Sequence, residues 1–253
     1  MRFEQQVAVV TGASLGIGRA TAEGFARKGA HVALVSKNQE RGLQAERELK
    51  ASGYSVRFFP TDLALEQDIR RSIDAIVAEW GRIDILVNNA AVYIQADVTQ
   101  TTLADWDRVM TTNLTSAFLC SHYVVPIMVH GGGGVIINVS SEAGLVGIKG
   151  QVVYNVSKAG LIALTKSCAV DLADRNIRVN CVCPGTTDTP LVREAVGRAA
   201  DPAAARRALE QCRPMNRLGT SEEIASAVLY LSSAESGYAT GAVFSLDGGY
   251  TAQ

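Results

Sequence analysis

The stretch Val7-Ala8-Val9-Val10-Thr11-Gly12-Ala13-Ser14-Leu15-Gly16-Ile17-Gly18 passes from an apolar β-branched run through a glycine-rich turn into a segment with helical apolar spacing that lasts to Lys28. Glycine lets a backbone turn tightly and approach a pyrophosphate closely. The free N–H groups at the start of the following helix, at the positive end of its macrodipole, can then receive the anion. The glycines alone would mark no more than a turn. The order strand, turn, helix predicts a dinucleotide site built from Thr11, Gly12, Ser14, Leu15, Gly16, Ile17 and Gly18. The spacing is Gly-x-x-x-Gly-x-Gly, one residue longer than the Gly-x-Gly-x-x-Gly fingerprint.

Outward from this unit the same rhythm repeats. Strands are predicted at Val7 to Val10, His31 to Val35, Val56 to Phe59, Ile83 to Val87, Val135 to Val139, Ile177 to Val182 and Ala242 to Leu246. Each is short and nearly continuously apolar, as suits strands buried on both faces of a parallel sheet. Helices are predicted at Gly18 to Lys28, Glu40 to Lys50, Glu66 to Trp80, Trp106 to Met128, Val153 to Asp174 and Glu222 to Leu231. The alternation predicts an α/β fold, a doubly wound seven-stranded parallel sheet with helices on both faces. No composition shift divides the chain, so a single domain over residues 1–253 is expected. Gly131 to Gly134 reads as a helix-to-strand turn. The Ala- and Arg-rich stretch Pro190 to Gln211 interrupts the rhythm and reads as a helical insertion over the site.

Composition narrows the partners. Of 253 residues, 47% are hydrophobic and 19% charged, which excludes wholesale disorder. The 24 basic and 25 acidic residues nearly cancel, leaving no electrostatic case for a nucleic-acid or acidic-membrane partner. No apolar run approaches the roughly 18 residues of a membrane helix, and the N-terminus lacks a signal-peptide layout. Cytoplasmic residence is expected. The cysteines Cys120, Cys168, Cys181, Cys183 and Cys212 form no disulfide or zinc pattern and read as small buried hydrophobes. The scattered His31, His122 and His130 suggest no metal site.

Two further features carry chemistry. An acidic residue at the end of the second strand would bind ribose hydroxyls and repel a 2′-phosphate. This chain has Val35-Ser36-Lys37-Asn38 there, so Ser36 and Lys37 favour NADP(H) over NAD(H), against the alternative of a lysine that simply faces solvent. Tyr154 and Lys158 stand four apart at the start of an apolar helix, on one face. A phenol titrates near ~10. A nearby ammonium favours the phenolate, so the pair can act as acid and base. On its own, such a pair is more often a surface pair than a catalytic one.

Taken together, Thr11 to Gly18, Asp62-Leu63, Asn88-Asn89-Ala90, Asn113, Ser140-Ser141, Tyr154 to Lys158, Arg178-Val179-Asn180, Pro184-Gly185 and Asp247-Gly248-Gly249 resemble the short-chain dehydrogenase/reductase family in order and spacing along the whole chain. The chain looks most like members grouped around 3-oxoacyl-carrier-protein reductases and sugar or polyol dehydrogenases. The resemblance implies hydride transfer between a nicotinamide and a carbonyl or secondary alcohol. It implies that Ser141 hydrogen-bonds the substrate oxygen, that Tyr154 is the acid/base, and that Lys158 lowers its proton affinity and binds the nicotinamide ribose. Asn113 would hold a relay water, or satisfy a helix kink, or both. Asp62 and Leu63 would contact the adenine, with an N-cap role for Asp62 as the compatible alternative. Asn89 and Ala90 would line the adenosine half, and Pro184, Gly185, Thr187 and Thr189 would hold the carboxamide.

Two residues depart from the family pattern. Ala91 stands where glycine is frequent. Leu15 replaces a basic residue of many NADP-dependent members, which leaves Lys37 to carry that preference. The insertion, at about 188–212, is expected to be a substrate lid. Its Arg193, Arg198, Arg206 and Arg207 read as a solvated face in preference to an anion-attracting patch. Val92, Ile94, Gly144, Val146, Ile148 and Gln151 are expected to line a mostly apolar pocket. The helices Trp106 to Met128 and Val153 to Asp174 are too apolar for one-sided burial, and with the resemblance this implies a homotetramer. The rival readings are an epimerase or dehydratase, whose relatives are longer, and a dinucleotide sensor, which would be expected to have lost Ser141, Tyr154 or Lys158.

Overall fold

The computed structural model of the chain describes residues 3–253. Seven strands, β1 (Val7–Thr11), β2 (His31–Ser36), β3 (Val56–Pro60), β4 (Ile85–Asn88), β5 (Gly134–Val139), β6 (Ile177–Pro184) and β7 (Val243–Leu246), form one sheet. Their order is β3-β2-β1-β4-β5-β6-β7, and every pairing is parallel. The order reverses between β1 and β4, and such a switch point opens a crevice at the carboxyl ends of the strands.

Alternation along the strands feeds two cores. Ala8, Val10, Val32, Leu34, Val87 and Val139 pack on one face against α1 (Gly16–Arg27), α2 (Gln39–Ala51) and α9 (Ser221–Ser232) through Phe25, Leu49 and Val228. Val7, Val9, Val35, Leu86, Ile136 and Val179 pack on the other. They meet Ile69, Ile73 and Ile76 of α3 (Glu66–Trp80), Val124 and Met128 of α5 (Ser116–His130), and Ala169 and Leu172 of α6 (Val152–Leu172). Successive strand side chains point to opposite faces, so an almost unbroken apolar strand is what a sheet covered on both sides requires.

Two segments differ from the expected pattern. The helix predicted from Trp106 to Met128 begins at Leu103 and is interrupted. α4 (Leu103–Met110) passes through a π turn, Thr111–Thr115, into α5. The predicted insertion helix is two helices, α7 (Pro190–Gly197) and α8 (Pro202–Gln211). Asp201 caps α8 by accepting from the Ala204 N–H, and Pro202 occupies its first turn, where its missing N–H costs nothing. Gly132 and Gly133 take positive φ angles of 90° and 135° in the turn before β5. Among the described residues no helix is long and apolar enough to cross a membrane. Cys120, Cys181 and Cys183 are buried as expected, whereas Cys168 is half-buried and Cys212 exposed.

Candidate active site

The glycine turn lies at the carboxyl end of β1, beside the switch point. Gly12 and Gly16 have φ of +66° and +55°, a region that favours glycine. A Cβ on Gly18 would stand 2.4 Å from the Gly12 carbonyl oxygen and 2.5 Å from Asn89 Nδ2. The Thr11 hydroxyl donates to the Val87 carbonyl (3.2 Å) and accepts from the N–H groups of Asn89 (2.9 Å) and Ala90 (3.1 Å). Asn89 Nδ2 returns a bond to the Thr11 carbonyl (2.9 Å). Thr11, expected among the cofactor contacts, thus has its hydroxyl taken up in holding Asn89 and Ala90 against the turn. Leu15 is the N-cap residue of α1 and no side chain caps the helix there. Uncapped N–H groups on a backbone too close-fitting for side chains suit a pyrophosphate.

At the end of β2, Ser36 is buried and its hydroxyl has no partner among the described residues. An orphaned buried hydroxyl at this position fits an adenosine ribose. Lys37 does not stand free: its Nζ lies 2.7 Å from Asp62 Oδ2. The Lys37 hydrogen bond holds the Asp62 carboxyl below its ordinary range. Asp62 also accepts from the Ala64 N–H (3.1 Å), and the cap position of α3 is Leu65. The alternative of Asp62 as that N-cap is therefore corrected, because its carboxylate turns to the lysine and its own loop. Leu63 sends its side chain into the core.

Tyr154 and Lys158 share one face of the first turns of α6. Ser140 and Ser141 separate clearly. The Ser140 hydroxyl is buried and donates to the Lys158 carbonyl (2.8 Å), while Ser141 caps the single turn Glu142–Gly144 and accepts from the Ala143 N–H (3.1 Å). Lys158 is buried, its Nζ donates to the Val139 carbonyl (2.8 Å), and it lies 5.6 Å from the centroid of the Tyr154 ring. Tyr154 is partly buried as a residue, but its phenol is enclosed. Burial pushes the phenol up to about 12, with smaller contributions from Tyr93 and Glu142. A hydrogen bond from Ser141, which favours the phenolate, works the other way. Burial pulls Lys158 down to about 8. In the chain by itself, loss of water moves the two groups apart, the phenol up and the lysine down, and the lysine is not among the influences that shift the phenol.

Asn113 occupies the π turn. Its Oδ1 accepts from the Val92 N–H (2.8 Å), and its Nδ2 donates to the Val92 carbonyl (3.0 Å) and to Ser157 Oγ (3.1 Å). The Asn113 side chain thus bonds no backbone group of the π turn itself; it ties the helix to the expected pocket at Val92 and to α6 at Ser157. Pro184 ends β6. A Cβ on the next residue, Gly185, would stand 2.6 Å from Asp247 Cα. Thr187 donates to the Gly185 carbonyl (2.9 Å). Thr189 caps α7, and its Cγ2 lies 3.3 Å from where a Gly16 Cβ would be, so the insertion starts against the glycine turn. A groove of about 330 Å³ beside Gly16 is lined by Arg19, Pro190, Arg193 and Thr220. Arg193 and Arg206 pair with Asp188, and Arg198 with Glu194, as a solvated face would.

Sequence reasoning missed two elements. Tyr93 stands edge-on to Tyr154, ring centroids 5.3 Å apart. Glu142 and Arg213 form a buried ion pair at 2.5 Å. The partners are 71 residues apart, so the one available signal was a charged residue immediately after Ser141. Among the described residues no group of three His, Cys, Asp or Glu side chains could hold a metal.

The family described as Enoyl-(Acyl carrier protein) reductase matches residues 12–251. The chain belongs to the short-chain dehydrogenase/reductase family. It is 39% identical to the 3-oxoacyl-[acyl-carrier-protein] reductase of Thermotoga maritima, over 98% of this chain and 99% of that protein. It is also 39% identical to cis-4-hydroxycyclohexanecarboxylate dehydrogenase of Sinomonas cyclohexanicum, over 99% and 98%. The crystal structure of levodione reductase superposes with a TM-score of 0.95 at 32% identity, covering 99% of both chains. This member of the family is an oxidoreductase of Rossmann fold.

Proposed function

We propose that this oxidoreductase reduces a small, largely apolar ketone or 3-oxoacyl thioester with NADPH, and that Tyr154 gives the proton. The observation that carries the reading is the convergence of Ser141, Tyr154 and Lys158 beside a glycine cradle that only glycine can form. Bound nicotinamide supplies or accepts the hydride. The chain's residues do the rest. The buried phenol, with a pKa of about 12, stays protonated at neutral pH and is ready to donate to an oxygen on which charge develops. Ser141 donates a second hydrogen bond to that oxygen. Lys158, buried behind the phenol, holds the ribose hydroxyls and brings positive charge to the site. Ser36 and Lys37 would hold the adenosine ribose and its 2′-phosphate, for which Lys37 would turn from Asp62.

The insertion at 188–212 acts as the lid, the whole chain acts as one domain, and residence is cytoplasmic. Identity near 39% to both an acyl-carrier-protein reductase and a cyclic-alcohol dehydrogenase supports a second reading, oxidation of a cyclic, sugar or polyol alcohol. A screen of ketones, 3-oxoacyl thioesters and alcohols with NADP(H) and NAD(H), followed at the reduced-nicotinamide absorbance band, tests both. Reduction with NADPH is expected to be fastest. Nucleotide binding with no turnover across the panel would favour the sensor.

A further inference from the structure

We propose that Glu142, held by Arg213, is a positioning residue that aims the Ser141 hydroxyl from the base of the lid; this rests on the oxidoreductase reading above. Glu142 directly follows Ser141 and is the first residue of the turn that Ser141 caps. That turn is fixed at both ends. At one end Gly144 is wedged against α6, where an added Cβ would lie 2.8 Å from the Lys158 carbonyl oxygen and from Ser140 Oγ. At the other, Glu142 Oε1 accepts from Arg213 Nη2 (2.5 Å) and from Thr186 Oγ1 (3.3 Å). Thr186 lies just before the insertion and Arg213 just after it, so a single carboxylate gathers both roots of the lid under the serine.

Arg213 is itself braced. It donates to the Leu209 carbonyl of α8, and its guanidinium lies 5.1 Å from the centroid of the Tyr250 ring. The two side chains are 6% and 3% exposed. A buried ion pair is a poor way to gain stability, since its desolvation offsets its attraction. It is a good way to fix direction here, because the guanidinium fork is held by both arms, Nη2 on Glu142 Oε1 and Nη1 on the Leu209 carbonyl. Glu142 also faces the chemistry electrically: its charge works against the Tyr154 phenolate, and burial pushes its own carboxyl up, which Arg213 offsets in part. Its second oxygen, Oε2, has no partner among the described residues and lies 3.0 Å from the place of a Gly185 Cβ. The carboxylate therefore also borders the loop expected to hold the nicotinamide.

A double-mutant cycle decides between positioning and mere support. Glu142→Gln is expected to lower kcat about tenfold while KM and the NADPH dissociation constant stay within about twofold. In a Ser141→Ala background the same substitution is expected to change kcat less than about twofold, because its effect passes through the missing hydroxyl. An undiminished tenfold loss in that background, or a parallel loss of NADPH affinity, overturns the proposal. Arg213→Lys keeps the charge, loses the fork and should show the same pattern, and it takes over the cycle if Glu142→Gln does not fold. If wild-type protein turns over nothing, or Tyr154→Phe is fully active, the oxidoreductase reading has failed separately. Hydrogen exchange at the amides of residues 141–144 then decides. Faster exchange in either variant retains Glu142 as the anchor of the turn, and unchanged exchange removes it.

Discussion

Burying the Lys158 ammonium costs stability, and the cost has a pH signature. Its folded pKa of about 8 lies below the ordinary 10.5. Between those values the unfolded chain holds a proton that the folded chain has released, so stability from this group rises with pH through that window. At pH 7 the burial costs about 3 kcal/mol, an order-of-magnitude figure. Lys158→Met removes that cost and leaves the Val139 carbonyl unpaired, so a net gain of about 2 kcal/mol is expected in cofactor-free protein at pH 7. Urea titrations at pH 7 and 10 should show the gain shrinking at the higher pH, and an equal midpoint shift at both would contradict it. Tyr154, raised from 10 to about 12, acts oppositely and only above pH 10. Its protonated form is full at neutral pH, so ketone reduction should be flat from pH 5 to 7 and decline above pH 8 as Lys158 loses its charge, whereas alcohol oxidation, which needs the phenolate, should climb with pH up to that point. Rate profiles in both directions check this, and reduction rising with pH would count against a phenol donor. At the far end of the nucleotide site, Ser36→Asp places a carboxylate where a 2′-phosphate would lie. It is expected to shift the NADPH-to-NADH affinity ratio at least about tenfold toward NADH, read by fluorescence titration. These residues were legible because type and spacing name their chemistry. The Lys37–Asp62 pair was not, since it joins the ends of two neighbouring strands, and neither was the raised phenol, which depends on enclosure rather than on sequence distance.

Among the elements, the strands could be read because a doubly covered sheet demands unbroken apolar runs, and the helix Glu66–Trp80 appears with the bounds its periodicity predicts. The interruptions could not. The π turn at Thr111–Thr115 holds one apolar residue, Leu114, and it places Asn113 to bond Val92 and Ser157, partners that no local pattern encodes. The break between α7 and α8 did carry a signal, Asp201-Pro202, a cap followed by a first-turn proline, which the Ala-rich composition obscured. The tightest junction is that of β1 with α1. Gly18→Ala forces a methyl group toward the Gly12 carbonyl and Asn89, backbone and braced amide that cannot yield cheaply. It is expected to cost about 2 kcal/mol in stability and to weaken nucleotide binding at least about tenfold, measured by thermal melting and fluorescence titration. Wild-type affinity in a folded Gly18→Ala variant would mean that the turn is not the nucleotide cradle.

For the whole molecule, apolar side chains remain exposed on the helices that sequence reading found too apolar for one face. Phe118 is 50% exposed, Val156 40% and Val170 80%. Association through α5 and α6 would cover them, and light scattering is expected to give four times the 26.8 kDa chain mass, falling in a Phe118→Glu variant. A clean wild-type monomer would contradict this. The most direct test of the account compares wild-type and Tyr154→Phe turnover of the best ketone from the screen, with NADPH saturating and its binding measured in both. A loss of at least about a hundredfold in kcat, with NADPH affinity kept within about threefold, is expected if Tyr154 gives the proton. Near-wild-type turnover in Tyr154→Phe would contradict it.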